Sequence, residues 1–159
     1  MRIVVVSDTH GKIDHFVNKL KSMDRPQLII HLGDYAEDGE KIQSLTNVET
    51  IIVKGNGDYF NKNYEEDRLI EIGGKKFFIT HGHKYNVRYR LDNLMYKGEE
   101  VNADIVLYGH THVPVILKES NMIIMNPGSV SLPRTIEKEK TFGIIEIGDK
   151  VSMTIEKID

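Results

Sequence analysis

Short β-branched runs alternate with helically spaced apolar positions along the first half of the chain. Runs of strand character cover Arg2 to Ser7, Gln27 to Leu32 and Val48 to Lys54, and each stops where Gly, Asp, Asn or His residues begin. Between the first two, Ile13, Phe16, Val17, Leu20 and Met23 form one apolar stripe at helical spacing, and Glu37 to Leu45 is a weaker helix candidate. A β-α-β-α-β start predicts parallel strands joined by right-handed crossovers, a layout that places ligands beyond the carboxyl ends of the strands.

The pattern changes after a loop at 61–66. Arg68 to Ile72 and Lys75 to Thr80 flank Gly73-Gly74, a hairpin signal. Val87, Leu91, Leu94, Met95 and Val101 then repeat at helical spacing, which predicts a helix. Asp104 to Tyr108, Val113 to Leu117, Met122 to Met125, Thr141 to Ile147 and Val151 to Ile158 read as strands. Short turns at Ser120-Asn121 and Gly148-Asp149 predict antiparallel pairing late in the chain. The expected architecture is α/β, with two packed sheets and helices outside.

Composition narrows the chemistry. At 159 residues, with 40% hydrophobic and 28% charged side chains, the chain is expected to form a single domain over 1–159 with a real core. A net charge of -3 argues against a nucleic-acid partner, whose phosphates call for a basic face. With no cysteine, disulfides, thiolate metal sites and cysteine nucleophiles are all excluded. The chain opens directly on a strand without a signal-like segment, and its apolar runs fall far below the ~20 residues of a membrane helix, so a cytoplasmic enzyme is expected.

The polar residues that end the runs fall into five ordered motifs: Asp8-Thr9-His10, Gly33-Asp34, Gly55-Asn56-Gly57-Asp58, His81-Gly82-His83 and Gly109-His110-Thr111-His112. Singly, each is an everyday turn sequence. His110 and His112 are more telling, because alternate residues of an extended segment put both imidazoles on one side. Together the motifs hold His10, His81, His83, His110 and His112, five of the 7 histidines, all at strand ends. Aspartate, asparagine and histidine supply hard oxygens and imidazole nitrogens, a donor set for two divalent cations. Outside the motifs, His15 and His31 read as structural, and Asp14, Asp38 and Asp92 as helix caps or solvated positions. Tyr85, Tyr89 and Tyr96 read as core or rim packing.

This ordered set, followed by Asn126-Pro127-Gly128-Ser129, resembles the calcineurin-like metallophosphoesterases, and within them the small single-domain phosphodiesterase branch. The resemblance runs from Met1 to about Arg134. It implies a four-layer α-β-β-α sandwich of two mixed sheets with a dinuclear metal site at the strand ends. It assigns Asp8, His10 and His112 to one metal, Asn56, His81 and His110 to the other, and Asp34 to both as a bridge. Manganese is the first expectation for the ions, with nickel, iron and zinc as alternatives. A metal-bridging hydroxide would attack a small phosphoester, and His83 would orient a ligand or the substrate from the next layer of contacts. Many phosphatases of the wider superfamily have a histidine after the asparagine. This chain has Gly57, as the small branch does, which removes one general acid and leaves Asp58 to organise the loop. The resemblance admits two other readings: a protein-binding scaffold, as in a retromer subunit of the same fold that has lost part of the metal set, and a nuclease. Relatives often self-associate, so a homo-oligomer is a further expectation.

Overall fold

The computed structural model describes residues 1–158. In chain order these form β1 (Arg2–Val6), α1 (Asp14–Ser22), β2 (Leu28–His31), α2 (Ala36–Thr46), β3 (Thr50–Ile52), β4 (Asp67–Ile72), β5 (Lys75–Thr80), α3 (Asp92–Glu100), β6 (Ile105–Leu107), β7 (Val115–Glu119), β8 (Met122–Asn126), β9 (Thr141–Ile147) and β10 (Val151–Lys157). Single 3-10 turns lie at Asn56–Asp58 and His83–Tyr85. The strands make two five-stranded sheets, ordered β10-β9-β1-β2-β3 and β4-β5-β6-β8-β7. In the first, β1, β2 and β3 run parallel while β9 is antiparallel to both β1 and β10. In the second, β5, β6 and β8 run parallel, flanked by antiparallel β4 and β7.

Alternation along the strands builds the layers. Ile3 and Val5 of β1 point between the sheets, where they meet Phe77, Ile79, Ile105 and Leu107. Val4 and Val6 point outward onto Phe16, Val17 and Leu20 of α1 and Ile42 of α2. On the far side, Phe78, Val106 and Ile124 face away from the central core and pack with Leu94 of α3. Three apolar cores thus separate four layers, α-β-β-α. A strand buried on both faces reads as a continuous apolar run, which is why β1 shows no polar alternation in sequence.

Helix α1 has Asp14 in its first turn and Lys19 and Lys21 in its last, charges that complement the helix dipole. Its Phe16 ring stands edge-on to Phe142 of β9 at 5.5 Å, anchoring the helix to the sheet. No helix among the described residues is long and apolar enough to cross a membrane.

Two elements are displaced from their sequence expectation. The helix expected from Val87 begins only at Asp92: Asn86 ends the preceding 3-10 turn in left-handed backbone (φ 57°), and residues 86–89 form a separate turn with Tyr89 N–H on the Asn86 carbonyl. Val87 and Leu91 nevertheless pack against the third core, so the apolar spacing reported burial rather than helical backbone. The strand expected at Val113 begins at Val115, since Pro114 has no N–H to give the ladder.

Ile30, fully buried between the sheets, should lose about 2–5 kcal/mol on truncation to alanine. Ile136→Ala, at a side chain 95% exposed, should stay within about 0.5 kcal/mol. Denaturant unfolding of both variants measures the contrast, and equal losses would contradict this placement of the core.

Candidate metal centre

Each of the five motifs follows the carboxyl end of a parallel strand: β1, β2, β3, β5 or β6. Packing the two sheets face to face brings these ends to one edge of the sandwich. Neighbouring loops are tied by backbone hydrogen bonds, from Asp8 N–H to the Gly33 carbonyl (3.0 Å) and from Gly109 N–H to the His81 carbonyl (2.9 Å). Gly33 is required here. Its φ is 94°, and a Cβ would lie 2.5 Å from the backbone nitrogen of Gly55.

The loops turn sharply at the expected ligands themselves. Asp8, His10, Asp34, His110 and His112 all have left-handed backbone, with φ of 54, 46, 56, 69 and 60°. Such residues cost of order 1–3 kcal/mol each and persist where the surroundings over-determine them. The turn at each position swings its side chain off the sheet and into the common centre.

One ligand atom from each of Asp8, His10, Asp34 and His112 lies within 4.8 Å of the others. His112 Nε2 stands 3.1 Å from Asp8 Oδ1 and 3.4 Å from His10 Nε2. Asp34 faces two ways: Oδ2 lies 3.8 Å from His10 Nε2, and Oδ1 lies 3.4 Å from His81 Nε2. His81 Nε2 is in turn 3.2 Å from His110 Nδ1 and 3.8 Å from Asp8 Oδ1. Asn56 sits in the adjoining 3-10 turn and lines a pocket together with His83 and His110.

The donors are poised for cations. His81 Nδ1 donates to the Leu32 carbonyl at 2.7 Å and His112 Nδ1 to the Leu132 carbonyl at 2.6 Å. An imidazole held in that way turns its Nε2 inward, the orientation of a ligating histidine. Asp8 Oδ1 is buried without a hydrogen-bond partner, while Oδ2 accepts from the Ser7 hydroxyl (2.6 Å) and the His110 N–H (3.0 Å). Burial by itself raises the Asp8 carboxyl, but His112, His81 and Ser7 outweigh it and hold the group lowered to about 2. Burial lowers His10, and it lowers His110 to about 4 with help from His81 and Arg88. Both rings are therefore neutral near pH 7, as ligation demands. Oxygen and imidazole donors with inward lone pairs fit divalent metal.

Several residues have different surroundings from those expected. Asp38 is neither a cap nor solvated: it is fully buried, with Oδ2 accepting from the Thr9 hydroxyl and Gly11 N–H, both at 2.7 Å. Thr9 Oγ1 also contacts His31 Nε2 at 3.1 Å, and His31 Nδ1 accepts from Gly33 N–H at 3.2 Å. This chain of contacts joins the loop of Asp8 and His10 to the loop of Asp34. No periodic signal marks Asp38, and in sequence it stands only as an acidic residue four positions after Asp34. His15 is exposed on α1, away from the centre. Tyr85 packs against the third core and donates its hydroxyl to Asp67, but Tyr89 and Tyr96 are 82% and 66% exposed rather than packed. Asp58 does organise its loop, accepting from Ala36 N–H with one oxygen and Gly55 N–H with the other. His83 lies 5.6 Å from the His81 ring, centre to centre, with its Nδ1 buried and unpartnered.

The calcineurin-like phosphoesterase superfamily domain matches residues 1–150. The chain is 30% identical over 148 residues to the probable metallophosphoesterase YsnB of Bacillus subtilis, covering 92% of this chain and 85% of that protein. It is 32% identical over 148 residues to phosphodiesterase MJ0936 of Methanocaldococcus jannaschii, covering 80% of this chain and 83% of the relative. A predicted phosphoesterase from Streptococcus pneumoniae superposes with a TM-score of 0.84 at 30% identity, over 98% of this chain and 88% of that one.

The buried His31 supplies a pH test. Burial lowers its pKa to about 4, below the unfolded value near 6.5, so the unfolded chain takes up the proton first. Its contribution is fully present above about pH 6.5 and is lost as pH falls toward 4. In metal-free protein the stability gap between wild type and His31→Gln should therefore shrink over that window by an amount on the order of 3 kcal/mol. Urea titrations at several pH values would read it, and a pH-independent gap would refute the burial argument.

Proposed function

The chain belongs to the calcineurin-like phosphoesterase superfamily, and from that premise we propose that it is a dinuclear metal-dependent phosphodiesterase acting on small phosphodiesters. The observation that carries the reading is the convergence of Asp8, His10, Asp34 and His112 within 4.8 Å. Asp8, His10 and His112 would hold one ion, and Asn56, His81 and His110 the other. Asp34 serves as the bridge because its two oxygens face His10 and His81 separately. Manganese suits this mixed oxygen and imidazole set, as do iron, nickel and zinc.

Two divalent ions bound there would supply Lewis acidity for the phosphoryl group and lower the pKa of water from 15.7 toward about 7. The chain's own groups do the rest. Asp8 and Asp34 offset only part of the charge of two such ions, so the centre still attracts an anionic ester. Gly57 N–H donates to Asp34 Oδ1 at 2.9 Å and steadies the bridging carboxylate. Gly57 has no side chain to hand a proton to the leaving group. Its φ lies outside the left-handed region, so the constraint here is space: a Cβ would sit 3.0 Å from Asp34 Oδ1, a tight contact to which the carboxylate would have to yield. His83 has no hydrogen bond to His81 or His110 among the described residues. It lines the adjoining pocket, which makes it a contact for substrate rather than a brace for a ligand. A protein-binding scaffold would not need left-handed backbone at five residues aimed into one centre.

Asp34→Asn should lose metal occupancy and nearly all hydrolysis while the fold survives. Elemental analysis beside circular dichroism checks this, and two retained metals with unchanged activity would remove Asp34 from the bridge. Chelation of the wild type should abolish turnover, with manganese restoring it.

Without a donor at Gly57, rates should fall steeply as the leaving-group pKa rises. General acid catalysis is typically worth about 10²–10⁴-fold, and the poorest leaving groups depend on it most. Activated aryl diesters such as bis-p-nitrophenyl phosphate should far outrun alkyl esters. A flat profile, measured where chemistry limits the rate, would show that another residue delivers the proton.

A further inference from the structure

Beside His110 lies a pocket of about 270 Å³, also lined by Asn56, His83, Asn86, Arg88 and Tyr89, with Val87 as its one aliphatic side chain. Three of its side chains are unengaged. Among the described residues the side chains of Asn86, Arg88 and Tyr89 make no hydrogen bond, ion pair or ring contact with protein, although all three are exposed. The neighbouring cations are occupied: Lys84 pairs with Glu66 and Asp67, and Arg90 with Asp92. Arg88 alone of these is free, and it lines the same pocket as His110. A free guanidinium beside a phosphoryl-transfer centre can take two oxygens of a phosphate at once. Tyr89 is 82% exposed, so its aromatic surface is open to a ligand at the pocket mouth.

We infer that this pocket is the subsite for the non-reacting arm of the diester and that the arm is a nucleoside, with Arg88 on the phosphate and Tyr89 stacked on the base. The inference rests on the phosphodiesterase reading above. Size limits the arm to one unit, since small-molecule pockets commonly span about 300–1,000 Å³ and this one falls just below. A polymer would also have to pass a chain of net charge -3, and the cations flanking Arg88 are already paired with carboxylates. An acyl chain would find mostly amides, a guanidinium and imidazoles, with Val87 and the Tyr89 ring as the only apolar surface. Asn86 adds an amide with both donor and acceptor capacity, suited to a base edge or a sugar hydroxyl.

Calorimetry with thymidine 5′-monophosphate and methyl phosphate on manganese-loaded protein separates the two contacts. Stacking on an aromatic side chain predicts that the nucleotide binds about 5- to 100-fold more tightly than methyl phosphate. Tyr89→Ala should close that gap and Tyr89→Phe should keep it, while Arg88→Gln should weaken both ligands by a similar factor. Equal affinities in the wild type, or a gap that survives Tyr89→Ala, would overturn the nucleoside subsite. Unchanged affinities in Arg88→Gln would overturn the phosphate contact. Hydrolysis of methyl p-nitrophenyl phosphate is read separately: inertness with the gap intact refutes the phosphodiesterase reading alone, whereas turnover with no gap refutes the subsite alone.

Discussion

A carboxylate buried as completely as Asp8 has to be met by positive charge or hydrogen bonds, and much of the molecule is arranged around that demand. Ser7 and the His110 backbone satisfy one oxygen, while the other faces the Nε2 atoms of His112 and His81. Those imidazoles are themselves aimed by carbonyls from two further loops, at Leu32 and Leu132. Ser129 and Ser131 reach the Asp8 carbonyl from the segment after β8, fixing the backbone that carries the acid. Residues from both sheets therefore answer to one charge, which gives a physical reason for the sheets to meet where they do.

Rigidity is concentrated at the same edge. Five of the expected ligands sit in left-handed backbone, a conformation that side chains with a Cβ adopt only at a cost. The offsetting interactions lie one shell further out. The contacts among Asp38, Thr9 and His31 are wholly buried, and they connect two strained loops without contributing a ligand. Asp58 does the same for a third loop by fastening Gly55 to the start of α2. A centre built in this way is preorganised, since its donor side chains are held by contacts within the chain.

The rim is organised differently from the floor. Below it, side chains are paired and buried; above it, Tyr35, Tyr59, Phe60 and Tyr89 are exposed, and Arg88 is free of protein partners. Groups that satisfy one another serve the architecture, whereas groups left unsatisfied at a concave edge are available to a ligand. That division separates the residues expected to govern chemistry from those expected to govern which ester is accepted.

Local pattern was enough to identify the two-faced apolar runs of β1 and β2, the stripe of α1, the hairpin at Gly73-Gly74 and the five ligand-rich motifs, because each depends on residues close together in the chain. Burial of Val87 and Leu91 was also legible, though their backbone was not, since a core constrains side-chain position and admits more than one path to it. Distance in three dimensions was beyond the sequence. That Asp34 faces His10 on one side and His81 on the other follows from two sheets stacking strand ends against strand ends. The role of Asp38 emerges only when α2 folds it under Thr9, and the exposure of Tyr89 only when the turn after Asn86 carries it off the core. Sequence determined which chemistry this chain can perform, because ligand types and strand patterns are local; tertiary structure decided which of those groups meet, because that depends on contacts between residues as far apart as Asp8 and His112.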